Sequence, residues 1–172
     1  MKQRGFTLIE TVIYLALFAI LMSGVIAVAY NMFELSVRNQ TQALLQDEGN
    51  FLMGKVSWAL SGTASINQPV VGILGSQLSV NKVTGVNSSG NPIITPVVIA
   101  LSGTNVTIQE GSAPAVALNN SNIQITRLSF LHTLGTGVIT PESVEASTTL
   151  TARTPNGMVI TQDFSTTGYL RR

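Results

Sequence analysis

The chain contains one apolar stretch that is long enough to cross a membrane. From Thr11 to Phe33 there are 23 consecutive residues without a formal charge, TVIYLALFAILMSGVIAVAYNMF. As an α-helix this stretch would be about 35 Å long, and the hydrocarbon core of a bilayer is about 30 Å thick. The sequence therefore predicts a membrane-spanning helix near the amino terminus.

The charges ahead of this stretch indicate its orientation. Lys2 and Arg4 precede the span, and an excess of basic residues marks its cytoplasmic side. We therefore expect a single-pass protein of the inner (cytoplasmic) membrane. Its amino terminus would lie in the cytoplasm and its carboxy-terminal part outside.

The residues just before the apolar run distinguish it from an ordinary secretory signal peptide. A signal peptide is cleaved after its apolar run, at small residues, and the segment after Phe33, ELSVRNQTQ, has no such site. Ahead of the run lies a short basic leader that ends in Gly5, followed by FTLIE with a carboxylate at Glu10. A carboxylate inside a membrane usually pairs with a specific group.

The pattern MKQRG-FTLIE followed by the apolar run resembles the amino-terminal signature of type IV prepilins and of type II secretion pseudopilins. This resemblance implies that a prepilin peptidase cleaves between Gly5 and Phe6 and N-methylates Phe6, so that the apolar helix is kept. It also implies that Glu10 pairs, during subunit assembly, with the Phe6 amino group of a neighbouring subunit. From the residues alone, an interfacial Glu10 at headgroup depth remains the alternative.

Beyond Phe33 the apolar pattern becomes amphipathic and continues to about Leu60. Its spacings of three, four and seven are typical of a helix with one buried face. The apolar residues are Phe33, Val37, Leu44, Leu45, Phe51, Leu52, Val56 and Leu60. We expect this face to pack beneath a sheet, with Trp58 as a core anchor. Gly49 and Gly54 are predicted places for a bend, a break or a close contact, because glycine is unfavourable inside a helix.

From Ser61 onward the chain is rich in Ser, Thr and Asn, which is typical of a β-rich exported domain. Segments of β-forming residues between turn signals predict strands at 70–74, 78–83, 93–101, 106–109, 123–131, 144–153 and 158–164. The turn sequence Thr154-Pro155-Asn156-Gly157 should join the last two strands as a hairpin. A slip in the apolar alternation predicts a β-bulge near Thr126 and Arg127.

The order of these elements is similar to the pilin fold. That is an α+β fold in which a long amino-terminal helix packs against an antiparallel β-sheet domain. We expect residues 1–5 to be the cleaved leader and 6–33 the transmembrane and assembly half of the helix. Residues 34–60 would form its amphipathic half, and 61–172 the exported globular domain.

Residues that carry enzyme chemistry are scarce in this chain. It has no Cys, and its single His, His132, is predicted to be a polar residue at a strand end. Glu142 and Glu145 would point to opposite faces of a strand, so they do not form an acid/base pair. No metal-binding or phosphate-binding motif is present. We predict no catalytic residues, no metal site and no cofactor.

The preferred functional hypothesis is a non-enzymatic structural subunit, a minor pilin or pseudopilin that polymerises through its amino-terminal helix. It would serve an extracellular or periplasmic filament, either a type IV pilus-like filament or a type II secretion pseudopilus. Expected partners are other pilin or pseudopilin subunits, the prepilin peptidase, the inner-membrane assembly platform and membrane lipid.

Two other function classes stay open. In the first, the protein is a tip-located pilin whose β domain acts as an adhesin or binds DNA or a surface. A net charge of +1 with dispersed basic residues gives no support for a broad nucleic-acid-binding face. The second class, a membrane-anchored enzyme, has the least support.

Overall fold

The computed structural model describes residues 7–135 and 141–170. Its first element is helix α1, Leu8–Leu60, and nine strands follow among the described residues. The strands are β1 (Thr63–Gln68), β2 (Leu74–Gly75), β3 (Gln77–Val86), β4 (Pro92–Ser102), β5 (Asn105–Glu110), β6 (Val116–Ala117), β7 (Ile123–Thr133), β8 (Ser143–Arg153) and β9 (Val159–Tyr169). One long helix followed by antiparallel strands confirms the pilin-like α+β fold predicted from the sequence.

The strands form two antiparallel sheets. One has the order β1-β3-β4-β5-β6 and the other the order β2-β7-β8-β9. The predicted hairpin at the end of the chain is confirmed, because Arg153 of β8 pairs with Val159 of β9. In its turn Gly157 has a φ of +82°, a conformation that glycine adopts without steric cost.

The pairing of β7 with β8 contains the predicted β-bulge. The register slips between Ile125 and Arg127, on either side of Thr126. The slip returns Leu128 and Phe130 to the buried face and leaves Arg127 exposed. The irregular apolar alternation in the sequence is therefore a structural feature of the sheet.

The start of the β region differs from the sequence-based prediction. The strand predicted at 70–74 is wrong, since only Leu74 belongs to a strand and Gly72 turns the chain with a φ of +74°. A strand does form earlier, at Thr63–Gln68, where four of the six side chains are exposed. Such a strand has no apolar alternation, which is why the sequence pattern did not indicate it.

The chain divides into two compact units, Met1–Gln40 and Thr41–Arg172, and the boundary falls within α1. In the second unit, seven residues of α1 are buried. They are Leu45, Gly49, Leu52, Met53, Val56, Ala59 and Leu60. Four of these belong to the predicted apolar face, but Leu44 and Phe51 are 42% and 44% exposed. Trp58 is 38% exposed, so its predicted role as a core anchor is wrong.

Gly49 lies at a very close approach between α1 and β9. A Cβ atom at this position would lie 2.4 Å from the ring of Phe164, which leaves no room for a side chain. At Gly54, by contrast, no described atom beyond the adjacent residues and the local helix backbone lies within 4 Å of the corresponding position. Helix α1 runs through both glycines, so neither of them breaks the helix. Of the two, only Gly49 has the predicted close contact.

The two glycines therefore provide a matched test of packing. We expect Gly49→Ala to lower the free energy of unfolding by about 1–3 kcal/mol, since the added methyl group displaces the Phe164 ring. Gly54→Ala should raise it by about 0.5–1 kcal/mol, because alanine is the better helix former and meets no neighbour. Urea denaturation followed by circular dichroism measures both changes. A stabilised Gly49→Ala variant would contradict the contact.

Candidate functional site

Helix α1 begins with a side-chain cap. Thr7 precedes the helix, and its Oγ1 accepts a hydrogen bond from the Glu10 N–H at 3.4 Å. The Thr7 carbonyl accepts the first helical hydrogen bond, from the Thr11 N–H at 3.2 Å. Glu10 is thus the acidic residue of the first turn, where the helix dipole favours negative charge.

Thr7 was not predicted to be the cap of α1. The signal was present, because Thr-x-x-Glu before an apolar run is the spacing of a capping box. Glu10 therefore occupies a position that suits a carboxylate even before any partner binds it.

The part of α1 in the first unit exposes an apolar surface. Its large apolar side chains from Leu8 to Leu35 are each at least 42% exposed. Side chains on one side of this segment line a concave surface, formed by Thr11, Tyr14, Leu15 and Phe18. Among the described residues, α1 is the one helix long and apolar enough to cross a membrane, with a mean hydropathy of 2.6 over its best window. A surface of this kind needs lipid or protein to cover it.

Residues 1–26 match the family model of the prokaryotic N-terminal methylation motif. This match supports a type IV pilin-like protein with a prepilin-type motif. Its prepilin-type motif and exposed apolar helix indicate membrane anchoring, and proteins with this motif are generally structural. No curated protein and no solved structure matches the chain.

The predicted processing residues of this motif, Gly5 and Phe6, lie outside the described residues. Glu10 is described, and it is partly exposed in the first turn of α1. The structure therefore supplies the position of Glu10, while cleavage, N-methylation and pairing remain predictions.

The second unit of the chain contains a buried His–Glu pair. His132 is 5% exposed, and its Nε2 lies 2.8 Å from Oε1 of Glu142. Its Nδ1 lies 3.3 Å from the carbonyl oxygen of Pro69. The pair therefore links the end of β7 to the residues before β8 and to the loop after β1. No group of three or more His, Cys, Asp or Glu side chains suited to a metal occurs in the described part of the chain.

His132 lies at the end of β7, as the sequence predicted, but its burial and its pairing with Glu142 were not predicted. In the sequence the nearest carboxylate to Glu142 is Glu145, three residues away. A partner ten residues away becomes visible only when β7 and β8 are aligned, since their register brings His132 opposite Val144. The pair links the end of β7 to the residues before β8.

Lys82 of β3 is the second buried ionisable residue, and it binds the end of α1. Its Nζ donates to the Trp58 carbonyl at 2.7 Å, to the Ser61 carbonyl, and to Ser61 Oγ at 3.1 Å. The Nζ also lies 4.8 Å from the centroid of the Trp58 ring. The last turn of α1 has no basic residue of its own. Lys82 therefore supplies both a donor for terminal carbonyls and the positive charge that a helix carboxy terminus favours.

The electrostatic setting of Lys82 follows from this position. Burial lowers the pKa of the Lys82 amine below its ordinary value of 10.5, and the carboxylate of Glu110 partly opposes that change. A perturbed amine can mark an active site. Here the contacts of the amine are with the end of α1, which identifies Lys82 as a capping residue.

We expect Lys82→Met to lower the free energy of unfolding by about 1–3 kcal/mol at pH 7, because the carbonyls of Trp58 and Ser61 lose the Lys82 donor. The Lys82 pKa is lower in the folded chain, so the unfolded chain holds the proton more tightly. The stability of the wild type relative to the variant should therefore increase as the pH rises toward 10.5. Denaturation over a pH series measures this difference.

Lys55→Met is the matched control for this prediction. The Lys55 amine lies over the rings of Phe51 and Trp58, at 5.7 and 5.6 Å from their centroids. Losing such an exposed cation–π contact should cost about 0.5–1 kcal/mol at most. Equal losses in the two lysine variants would contradict the capping role of Lys82.

Proposed function

We propose that this chain is a non-enzymatic structural subunit, a minor pilin or pseudopilin, that polymerises through α1. The observation that carries the proposal is the change in burial along one continuous helix. Large apolar side chains of α1 are exposed through Leu35, whereas the helix buries seven residues between Leu45 and Leu60 within the β-rich unit. One element then acts both as an anchor and as part of a folded core.

The exposed part of α1 suits two successive environments. Lipid covers it while the subunit is held in the inner membrane, with the amino terminus in the cytoplasm and the β-rich unit outside. Helices of neighbouring subunits cover it in a pilus-like filament or a secretion pseudopilus. The exchange is feasible because apolar helices pack in lipid by van der Waals contact and need few polar partners. The concave surface beside Tyr14 and Phe18 supports such packing.

The amino-terminal motif supports the processing steps of the same proposal. Prepilin peptidase cleaves between Gly5 and Phe6, removes the leader 1–5 and methylates the new amino group of Phe6. Residues 6–33 are then the transmembrane and assembly segment, 34–60 the amphipathic half of the helix, and 61–172 the exported domain. The assembly platform of the inner membrane would receive the processed subunit.

Glu10 supplies the polar contact that fixes the position of neighbouring subunits. A single ionised carboxylate in the middle of a membrane costs about 2.5–3.5 kcal/mol, and an amine brought close to it removes much of that cost. The amino group of Phe6 in a neighbouring subunit provides this partner. The ionised carboxylate of Glu10 is therefore most stable in the assembled filament, where a neighbouring subunit supplies the amine.

The buried polar groups of the second unit support a structural role over an enzymatic one. His132 and Glu142 contact each other, and Lys82 binds the end of α1. These groups are engaged in holding elements of the fold together. The function proposed for the protein therefore rests on its helix and its assembly.

The first test concerns processing. We expect the exported protein to begin at Phe6, so its mass should lack residues 1–5 and include one methyl group. Gly5→Ala should slow cleavage several-fold, because the peptidase must accommodate a bulkier residue beside the scissile bond, whereas Gln3→Ala should be cleaved normally. Intact-mass measurement checks both. A chain that still begins at Met1 in cells with active peptidase would contradict the proposal.

The second test concerns assembly. Glu10→Ala should leave membrane insertion and cleavage intact but reduce incorporation into filaments at least tenfold, which corresponds to about 1.4 kcal/mol of lost pairing energy. Glu10→Gln removes the charge at nearly constant shape and should behave similarly. Glu34→Gln, a change at an exposed carboxylate of the same helix, is the control. Immunoblots of sheared filaments give the readout, and normal incorporation of both Glu10 variants would refute the pairing.

A further inference from the structure

The sheet β2-β7-β8-β9 carries a polar depression on the face that points away from the core. Its volume is about 200 Å³, and polar side chains of three adjacent strands line it. They are Arg127 of β7, Ser147 and Thr149 of β8, and Asp163 and Ser165 of β9. The registers place Arg127 opposite Thr149 and Thr149 opposite Asp163. Arg127 and Asp163 therefore stand at the two ends of one row, with their Cα atoms about 10 Å apart across the strands.

The β-bulge is what brings Arg127 to this face. With the regular alternation set by the buried residues Ile123 and Ile125, residue 127 would point into the core. The slip between Ile125 and Arg127 reverses that direction, and bulges commonly redirect a side chain in this way. The Thr148 hydroxyl donates to the Arg127 carbonyl at 2.9 Å, which holds the bulged backbone against β8.

The base of the depression consists of hydroxyl groups. Thr149 Oγ1 donates to Asp163 Oδ1 at 2.6 Å, which orients the carboxylate. In the next row, the Ser147 hydroxyl lies 2.8 Å from that of Ser129. In the part of the chain that the structure describes, neither Arg127 nor Asp163 forms an ion pair. The charged groups at both ends are thus available to a molecule placed between them.

We propose that this depression binds one acidic monosaccharide unit, a sugar ring that carries a carboxylate beside neighbouring hydroxyl groups. The Arg127 guanidinium has the planar donor geometry that binds a carboxylate with two hydrogen bonds. Asp163 accepts hydrogen bonds from the sugar hydroxyls, and Ser147 and Ser165 can donate or accept. The volume is below the 300–1,000 Å³ that is typical of larger ligand pockets, which limits the contact to about one ring.

The two charged residues distinguish this ligand from simpler ones. A small anion would satisfy Arg127 but would be repelled by Asp163. A neutral sugar would bind Asp163 and the hydroxyl groups but would leave Arg127 without a charged partner. A ring with a carboxylate at one end and hydroxyls at the other satisfies both residues at once. This inference goes beyond the proposed assembly function, because the site lies in the β-rich unit and contains no residue of α1.

Glucuronate is the probe for this site, and the full-length protein in detergent micelles is the sample. Saturation-transfer NMR should show glucuronate binding with a Kd in the millimolar range, as expected for a shallow surface site. Glucose and acetate should each bind at least tenfold more weakly. Arg127→Gln should weaken glucuronate binding about tenfold, and Asp163→Asn should remove the preference for glucuronate over acetate.

Arg153→Gln is the matched control, because Arg153 is an exposed arginine of β8 that does not line the depression. It should leave glucuronate binding unchanged, and thermal unfolding curves of all three variants should coincide with that of the wild type. The proposal is overturned if glucuronate does not saturate the protein at millimolar concentrations, or if acetate or sulfate binds as tightly. Equal losses in Arg127→Gln and Arg153→Gln would also overturn it, since they would show a general charge effect.

Discussion

Burial of the distal part of α1 is the interaction on which the rest of this structure depends. One hydrophobic cluster contains Leu45, Leu52 and Val56 of the helix together with residues of both sheets, such as Ile99 and Phe130. Each large side chain buried in this way contributes about 1.5–3 kcal/mol. The same helix continues toward the amino terminus with exposed apolar residues.

Residues of opposite charge lie at the two ends of α1. At the amino end Thr7 caps the helix and Glu10 places a carboxylate in the first turn. At the carboxy end Lys82, which comes from a strand, binds the terminal carbonyls. Both arrangements match the direction of the helix dipole. The amino-terminal cap involves only neighbouring residues, so Glu10 can change its partner during assembly without a change in the fold. Lys82, in contrast, connects the end of the helix to the sheet.

The sequence predicted the features that depend on local patterns. The apolar run, the Pro155-Asn156-Gly157 hairpin and the bulge at Thr126 each follow from neighbouring residues, and the structure contains a long helix, a hairpin and a bulge at those places. The features it missed depend on tertiary contacts. Trp58 was predicted to be buried because it is large, but it lies at the surface beside Lys82. Likewise, nothing in the local sequence indicates that His132 meets Glu142 or that the Gly49 position faces an aromatic ring.

Strand β9 shows how adjacent residues of one strand can serve separate purposes. Phe164 points inward and fills the space left by Gly49, while Asp163 and Ser165 point outward and line the polar depression. The two-residue period of the strand keeps these roles on opposite faces. In β7 that period alone would have placed Arg127 in the core, and the bulge corrects its direction while preserving the burial of Phe130. The bulge therefore keeps the apolar residues in the core and Arg127 on the outer face. A regular strand that continued the alternation at the start of β7 would bury Arg127 and place Phe130 on the outer face.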